Sequence, residues 1–302
     1  SADCPAGVDM ARYRSEALFR TYRGRMRPLS HYTLGWLPRL TRVTARVPGL
    51  ARIANAIMSV APLRSLAFRI IGLDPRRGMP ALQSGTFTAW ARRRNLLAGN
   101  VPASASSDPI SEARERDAAP ASSDSARERE GATASPHFTR ERGGTTASSI
   151  ADSPILNGPR DPGGRPYALV WADSFSQTLD DTGARAVVDV LEANGFAPIV
   201  APDACCGLTW ITTGQLTGAK KHLTSLLSVL SPFAASGIPI VGVEPSCTAV
   251  LRDDLLDLLP EDPRSALVSG ATRTLAEVLS AVPASARHLP SLEGVEIVAQ
   301  PH

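Results

Sequence analysis

Ala197-Pro198-Ile199-Val200-Ala201-Pro202-Asp203-Ala204-Cys205-Cys206-Gly207-Leu208 runs from a short apolar segment into a turn that carries two adjacent thiols. The segment Ala197 to Val200 follows Gly195 and precedes polar turn residues, which is the pattern of a buried strand. A helical pattern follows, from about Thr213 to Leu230. The same alternation continues on both sides. Ala168-Leu169-Val170-Trp171 predicts another buried strand, and Thr182 to Asn194 an amphipathic helix closed by Gly195 at its C′ position. Ile238 to Val243 predicts a third strand, followed by a helix from Cys247 to Leu259. Leu267-Val268 is a further short apolar element, Thr274 to Val282 a helix, and Val295 to Val298 a final strand. This β-α-β-α order implies an α/β fold with a doubly wound parallel sheet. Ligand sites of such sheets gather where strands end and helices begin. Cys205-Cys206 and Cys247 both fall at such positions.

Adjacent thiols are poor building material and good ligands, because thiolates are the soft donors that zinc and iron-sulfur clusters prefer. In a strand they point to opposite sides; a tight turn lets them converge, and Gly207 permits the positive φ such a turn requires. Cys247 lies in Glu244-Pro245-Ser246-Cys247. Helices starting after Cys206 and at Cys247 are expected to lower the thiol pKa values through their dipoles. Glu244 is a candidate ligand or base. Asp173, in Trp171-Ala172-Asp173-Ser174-Phe175, is a candidate ligand or a helix cap. Two readings compete with a metal centre: the cysteines as small buried hydrophobes, or a disulfide between Cys205 and Cys206, which would be strained. His31 and His222 read as surface or capping residues.

Cys4, in Cys4-Pro5, is the remaining cysteine. It reads as the last element of C-x-x-C-x-x-C-x-x-x-C-P, the spacing of a [4Fe–4S] site. The chain starts at Ser1 without Met and stops at Pro301-His302, so we expect an interior piece of a longer protein. Residues 1–100 carry 17 arginines against Asp3, Asp9, Glu16 and Asp74, a net charge of +13, and the rest of the chain balances this at −10. Their apolar spacing predicts helices: Val8, Met10, Tyr13, Ala17, Leu18 and Phe19 in the first, with Asp9 near its start, then Trp36 to Val43, Leu50 to Val60, and Leu63 to Ile71. The arginines suit an anionic surface (nucleic acid, anionic lipid or protein), and the plainest reading is a face that docks on another domain of the same polypeptide. Ile53 to Ile71 is too interrupted by charge and proline to span a bilayer.

Residues 101–165 are dominated by Ser, Ala, Asp, Glu, Arg, Gly and Pro, as in Ser122-Ser123-Asp124-Ser125. Such a segment cannot bury enough apolar surface to offset its ordering entropy and is expected to be a disordered linker. Residues 166–302 are the α/β domain. Few cysteines, none at disulfide-framework spacing, fit a reducing cytoplasm. No G-x-G-x-x-G, Walker A or G-x-S-x-G motif is present, so neither a nucleotide site nor a serine hydrolase is indicated.

Cys205-Cys206-Gly207 followed by Glu244-Pro245-Ser246-Cys247 resembles one half of the cysteine-rich CCG domain. That domain occurs in iron-sulfur subunits of glycolate oxidase and heterodisulfide reductase. It also forms the C-terminal part of FAD-linked oxidases of the D-lactate and D-2-hydroxyglutarate dehydrogenase type. The strings closest to the last group are Cys4-Pro5 to Met10, Ser30-His31-Tyr32, Trp171 to Phe175 and Cys206-Gly207-Leu208-Thr209-Trp210. Pro301-His302 resembles the opening of the family's second half. The family pattern is a Cys, then CCG, then C-x-x-C. Here Asp173 stands where the first Cys would lie, and Cys247-Thr248-Ala249-Val250 lacks the second Cys of the last motif. The resemblance implies an electron-transfer piece of an FAD-dependent D-2-hydroxyacid dehydrogenase. Cys4 would ligate a [4Fe–4S] cluster in the intact protein, and Cys205, Cys206 and Cys247, with Asp173 and Glu244, would form a second sulfur-rich site. FAD would sit in an upstream flavin domain, and electrons would leave to an unknown acceptor. The alternative is a non-catalytic docking module whose cysteines are structural or bind zinc.

Overall fold

A computed structural model describes residues 9–71, 74, 76, 80–100, 155–291, 293–296 and 298. Cys4, most of the expected linker (101–154) and Pro301-His302 lie outside the described residues.

The sheet has four parallel strands in the order β2-β1-β3-β4. They are β1 Tyr167–Trp171, β2 Ala197–Val200, β3 Ile240–Gly242 and β4 Thr272–Arg273. The α/β expectation holds, and the sheet is covered on both faces. Leu169 and Trp171 of β1 share a core with Leu223, Leu226, Leu227 and Leu230 on one face. Ala168 and Val170 share another with Phe87, Ala91, Val188 and Leu191 on the other. A strand buried on both faces has no side to leave polar, so it reads as one apolar run rather than an alternation. Pro198 is tolerated because β2 is an edge strand of this sheet. That edge is not bare: the Val200 N–H donates to the Leu96 carbonyl at 2.7 Å, and Leu97 bridges Val200 in parallel.

Crossovers are helical. Among the described residues five N-terminal helices come first: α1 Met10–Thr21, α2 Leu29–Arg46, α3 Leu50–Ser59, α4 Ala61–Ile71 and α5 Phe87–Arg93. Between β1 and β2 run α6 Ser174–Thr178 and α7 Thr182–Ala193. Between β2 and β3 run α8 Leu208–Thr212 and α9 Leu216–Ala235. Between β3 and β4 run α10 Pro245–Arg252, α11 Asp254–Leu258 and α12 Pro263–Ala271, and α13 Leu275–Ser280 follows β4. The chain leaves β1 toward β2 on one side and returns to β3 on the other. The carboxyl end of β1 is therefore the switch point, where doubly wound sheets open a crevice.

Several sequence expectations need correction. The helix expected from Thr213 begins at Leu208 and breaks at Gly214, whose φ is +66°. A side chain at Gly214 would meet the backbone of α1 at Phe19 N (2.8 Å) and Ser15 O (2.9 Å), so the break is where α1 lies against the chain. The helix expected from Cys247 to Leu259 is two, parted at Asp253. Leu267-Val268 lies inside α12. Val295, Glu296 and Val298 are not in a strand; Val298 is 92% exposed, and Ile297 lies outside the described residues. Residues 155–165 are turn-rich, and Ile155 and Leu156 pack against the core, although composition placed them with the linker.

The N-terminal helices form where apolar spacing put them, and α1 starts at Asp9, which accepts from Ala11 N and Arg12 N. α5, capped by Thr86, was not anticipated. The apolar stripes of the first four point outward: Tyr13, Trp36, Leu40, Val43, Ile53 and Ile70 are exposed. The docked side of α2 is instead Gly35, Pro38 and Thr41. Small residues let the α2 backbone approach closely, and Thr209 Oγ1 donates to the Gly35 carbonyl at 2.9 Å. Among the described residues no helix is long and apolar enough to cross a membrane.

Candidate functional site

Three loops meet at the switch point. The loop after β1 brings Asp173 and Ser174, the turn after β2 brings Cys205 and Cys206, and the turn after β3 brings Glu244 and Cys247. Cys206 and Cys247, 41 residues apart, are in contact through their sulfurs at 3.2 Å. Cys205 Sγ accepts from Gly207 N at 3.4 Å. Gly207 has φ +76°, so the turn that folds both adjacent thiols inward uses the left-handed region where glycine is favoured. All three thiols are free and buried. The three cysteines singled out in the sequence thus come together in space.

The two candidate acids play other parts. Asp173 is 1% exposed, and its carboxylate accepts from Phe175 N (2.7 Å), Ser176 N (3.3 Å) and Ser176 Oγ (2.6 Å), the work of an N-cap. Glu244 caps α10 by accepting from Cys247 N at 2.6 Å, and so seats Cys247. Neither is a demonstrated ligand. Asp173→Ala should cost about 2 kcal/mol, since two part-buried N–H groups lose their acceptor, while Asp173→Asn keeps the cap and should cost under about 1 kcal/mol. Urea denaturation of both variants checks this.

Residues far away in sequence complete the site. Pro38 of α2, Ser174 and Phe175 of α6, and Leu208 and Thr209 of α8 close over the three cysteines around a cavity of about 10 Å³, with α2 as its outer roof. That is room for about one water-sized atom. Arg42 reaches down from α2 and donates to Asp203 Oδ1 (2.7 and 3.1 Å) and to Ser174 Oγ (3.1 Å). Arg27 donates to the carbonyls of Thr213 and Gly214, both at 2.7 Å, and Gln215 Nε2 to that of His31 at 2.8 Å. The basic N-terminal third therefore docks on the α/β domain through some of its own arginines. Sequence reasoning missed the pairing of Arg42 with Asp203, since 161 residues separate them; the one hint was an acid two positions before the adjacent thiols.

The expected lowering of the thiol pKa values is overturned. A hydrogen bond to Cys206, then burial, pushes Cys205 far up. The bond from Cys205 pulls Cys206 down, but its contact with Cys247 and its burial outweigh this and leave it well above the ordinary thiol value. Cys247 is likewise pulled down by Cys206, yet burial and the charges of Asp173 and Glu244 raise it. Helix dipoles act within one turn and α8 has five residues, so the contacts among the thiols together with their burial prevail.

Neither histidine joins the thiols. His31, lowered by burial and by Arg27 and Arg14, lies edge-on to Tyr22 at 5.3 Å. His222 packs 4.1 Å from the Trp210 ring, and burial, Arg39 and Arg42 lower its pKa to about 4. A histidine lowered in the fold gains its proton more readily when unfolded. Stability from this group is thus full above about pH 6.5 and lost as pH falls from there toward 4. His222→Gln should flatten that acid slope in denaturation measured from pH 7 to pH 4.

One subunit of the anaerobic glycerol-3-phosphate dehydrogenase of Escherichia coli strain K12 is 29% identical to this chain over 80 residues, 26% of this chain and 20% of that protein. Its counterpart in Escherichia coli O157:H7 matches with the same identity and coverage. The chain is distantly related to an oxidoreductase subunit. It spans about a fifth of the length of the curated relatives it matches. No family model and no solved structure matches it. The matched name carries glycerol 3-phosphate rather than a 2-hydroxyacid, so the finer substrate expectation stays open here.

The residues fit an inorganic centre in part. A four-iron cluster takes four thiolates, and the site has three, with the oxygens of Asp173 already engaged. These residues do not by themselves make such a cluster. Three sulfurs beside a one-atom cavity suit a single soft ion in donor type. The spacing is not yet that of a metal site: among the described residues no group of three or more His, Cys, Asp or Glu is arranged to hold a metal ion.

Proposed function

We propose that this chain is the electron-transfer portion of a flavin-linked oxidoreductase of the D-2-hydroxyacid dehydrogenase type, with Cys205, Cys206 and Cys247 as its sulfur centre. The observation that carries the reading is the convergence of three thiols from two separate turns at the switch point of a parallel sheet. The distant relationship to a dehydrogenase subunit supports the class. On this reading a flavin domain of the same polypeptide oxidises the substrate and passes electrons on toward an acceptor. Cys4 would be one of the ligands of a [4Fe–4S] cluster in the intact protein, and that cluster would supply one-electron steps. The three buried thiols are a separate centre. Asp173 and Glu244 position the turns that present them, and α2 excludes water. The outward stripes of α2, α3 and α4 suit burial against the flavin-bearing part, in a cytoplasmic protein without a nucleic-acid partner.

The test is iron, sulfide and zinc analysis of the full-length protein purified without oxygen. A brown chromophore bleached by dithionite and by a D-2-hydroxyacid is the expected result. Stoichiometric zinc without iron would instead favour a docking module with structural cysteines, a reading that the burial of all three thiols also favours.

A further inference from the structure

Two of the sulfurs stand closer than a shared ion would hold them. Two thiolates on one tetrahedral zinc, with bonds of about 2.3 Å, lie about 3.8 Å apart. Cys206 and Cys247 lie 3.2 Å apart. A disulfide bond is about 2.05 Å, so the pair is about 1.2 Å of travel from closure. The cavity of about 10 Å³ beside them leaves slack for that travel. Cys205 is the weaker partner for Cys206. Adjacent cysteines close a strained ring, and the Cys205 sulfur is held by Gly207 N and by Ser174.

We propose that Cys206 and Cys247 are a reversible dithiol/disulfide couple, a two-electron store that ties the turn after β2 to the start of α10. The proposal uses the sulfurs of the electron-transfer reading but requires no bound ion. In the oxidising direction the two S–H bonds break and one S–S bond forms. Two electrons and two protons pass to a low-molecular-weight disulfide, which leaves as two thiols. Once joined, neither sulfur is a free thiolate, so the site loses two of its three soft donors. Disulfide formation and metal binding at this site therefore exclude each other.

The test uses the full chain carrying Cys4→Ser, stripped of metal under reducing conditions and then treated with oxidised glutathione or diamide. Non-reducing peptide mapping should find the peptide with Cys206 joined to the peptide with Cys247, reversibly with dithiothreitol. Cys205→Ser should keep the link and Cys247→Ser should abolish it. Full alkylation of all three thiols after oxidation, or a link made through Cys205, overturns the couple. Absence of iron and zinc from the native protein would sink the metal-centre reading while leaving a mapped Cys206–Cys247 link intact, so the two fail separately.

Discussion

Gly242→Ala is expected to lower stability by about 3 kcal/mol, near the upper end of ordinary overpacking costs, and to pull Cys247 away from Cys206. Gly242 is the last residue of β3, and its Cα lies against the first turn of α10. A methyl group there would meet Thr248 Cβ and Cγ2 at 2.9 Å and would overlap Thr248 Oγ1. Thr248 cannot turn aside at low cost. It is 3% exposed, and its hydroxyl donates to the Glu244 carbonyl at 2.7 Å. α10 must therefore shift, and Cys247 precedes Thr248 on it. The checks are urea denaturation and the yield of the Cys206–Cys247 link. Thr248→Ala added to Gly242→Ala removes the atoms in the way and should recover part of both losses, a coupling that a double-mutant cycle reads directly. If Gly242→Ala leaves stability and linkage unchanged, the close approach of β3 and α10 is wrong.

Arg42→Met is the second large expectation, a loss of about 3 kcal/mol, the lower end for breaking a buried ion pair because both side chains keep some exposure. The Arg42 and Asp203 side chains are 16% and 14% exposed, so the pair is mostly withdrawn from water. Removing the guanidinium leaves the Asp203 carboxylate under α2 with only Arg46, 3.5 Å away and itself 68% exposed. The penalty is that of an uncompensated buried charge, more than the worth of the pair itself. Removing both charges, as Arg42→Met with Asp203→Leu, should thus be milder than Arg42→Met alone. Arg42 also ties α2 to Ser174, so the single variant should loosen the roof and speed alkylation of the buried thiols. Thermal denaturation and thiol-labelling rates decide this. Unchanged labelling would mean that α2 does not guard the site.

The parallel sheet was legible because β1 and β2 are buried on both faces and their apolar runs are unbroken. The order β2-β1-β3-β4 was not, because alternation with helices implies a parallel sheet without saying which strand lies in the middle. The convergence of Cys247 on Cys206 was legible too, because in this fold consecutive β-α turns open on one edge. The ends of elements were not. Gly214 and Asp253 break helices whose apolar spacing runs on, and at Gly214 the break lies where α1 packs against the chain. The chemistry at the thiols was misread for a related reason. Helix dipoles can be read from local sequence, whereas the thiol-thiol contacts and the burial that override them depend on what folds together at the turn. Asp173 shows the same limit: an acid next to Ser-Phe-Ser fits a cap or a ligand equally until its oxygens are seen to be engaged.

By itself the sequence determined the layered α/β architecture, the edge on which a site would form and the thiols that would meet there, because hydrophobic period and helix-strand alternation are local properties. Only the tertiary structure decided that α2 roofs those thiols through Arg42, that Asp173 and Glu244 serve as caps, and that Cys206 faces Cys247 more closely than a shared ion would allow. Those outcomes depend on desolvation and on contacts between residues far apart along the chain, which no local pattern encodes.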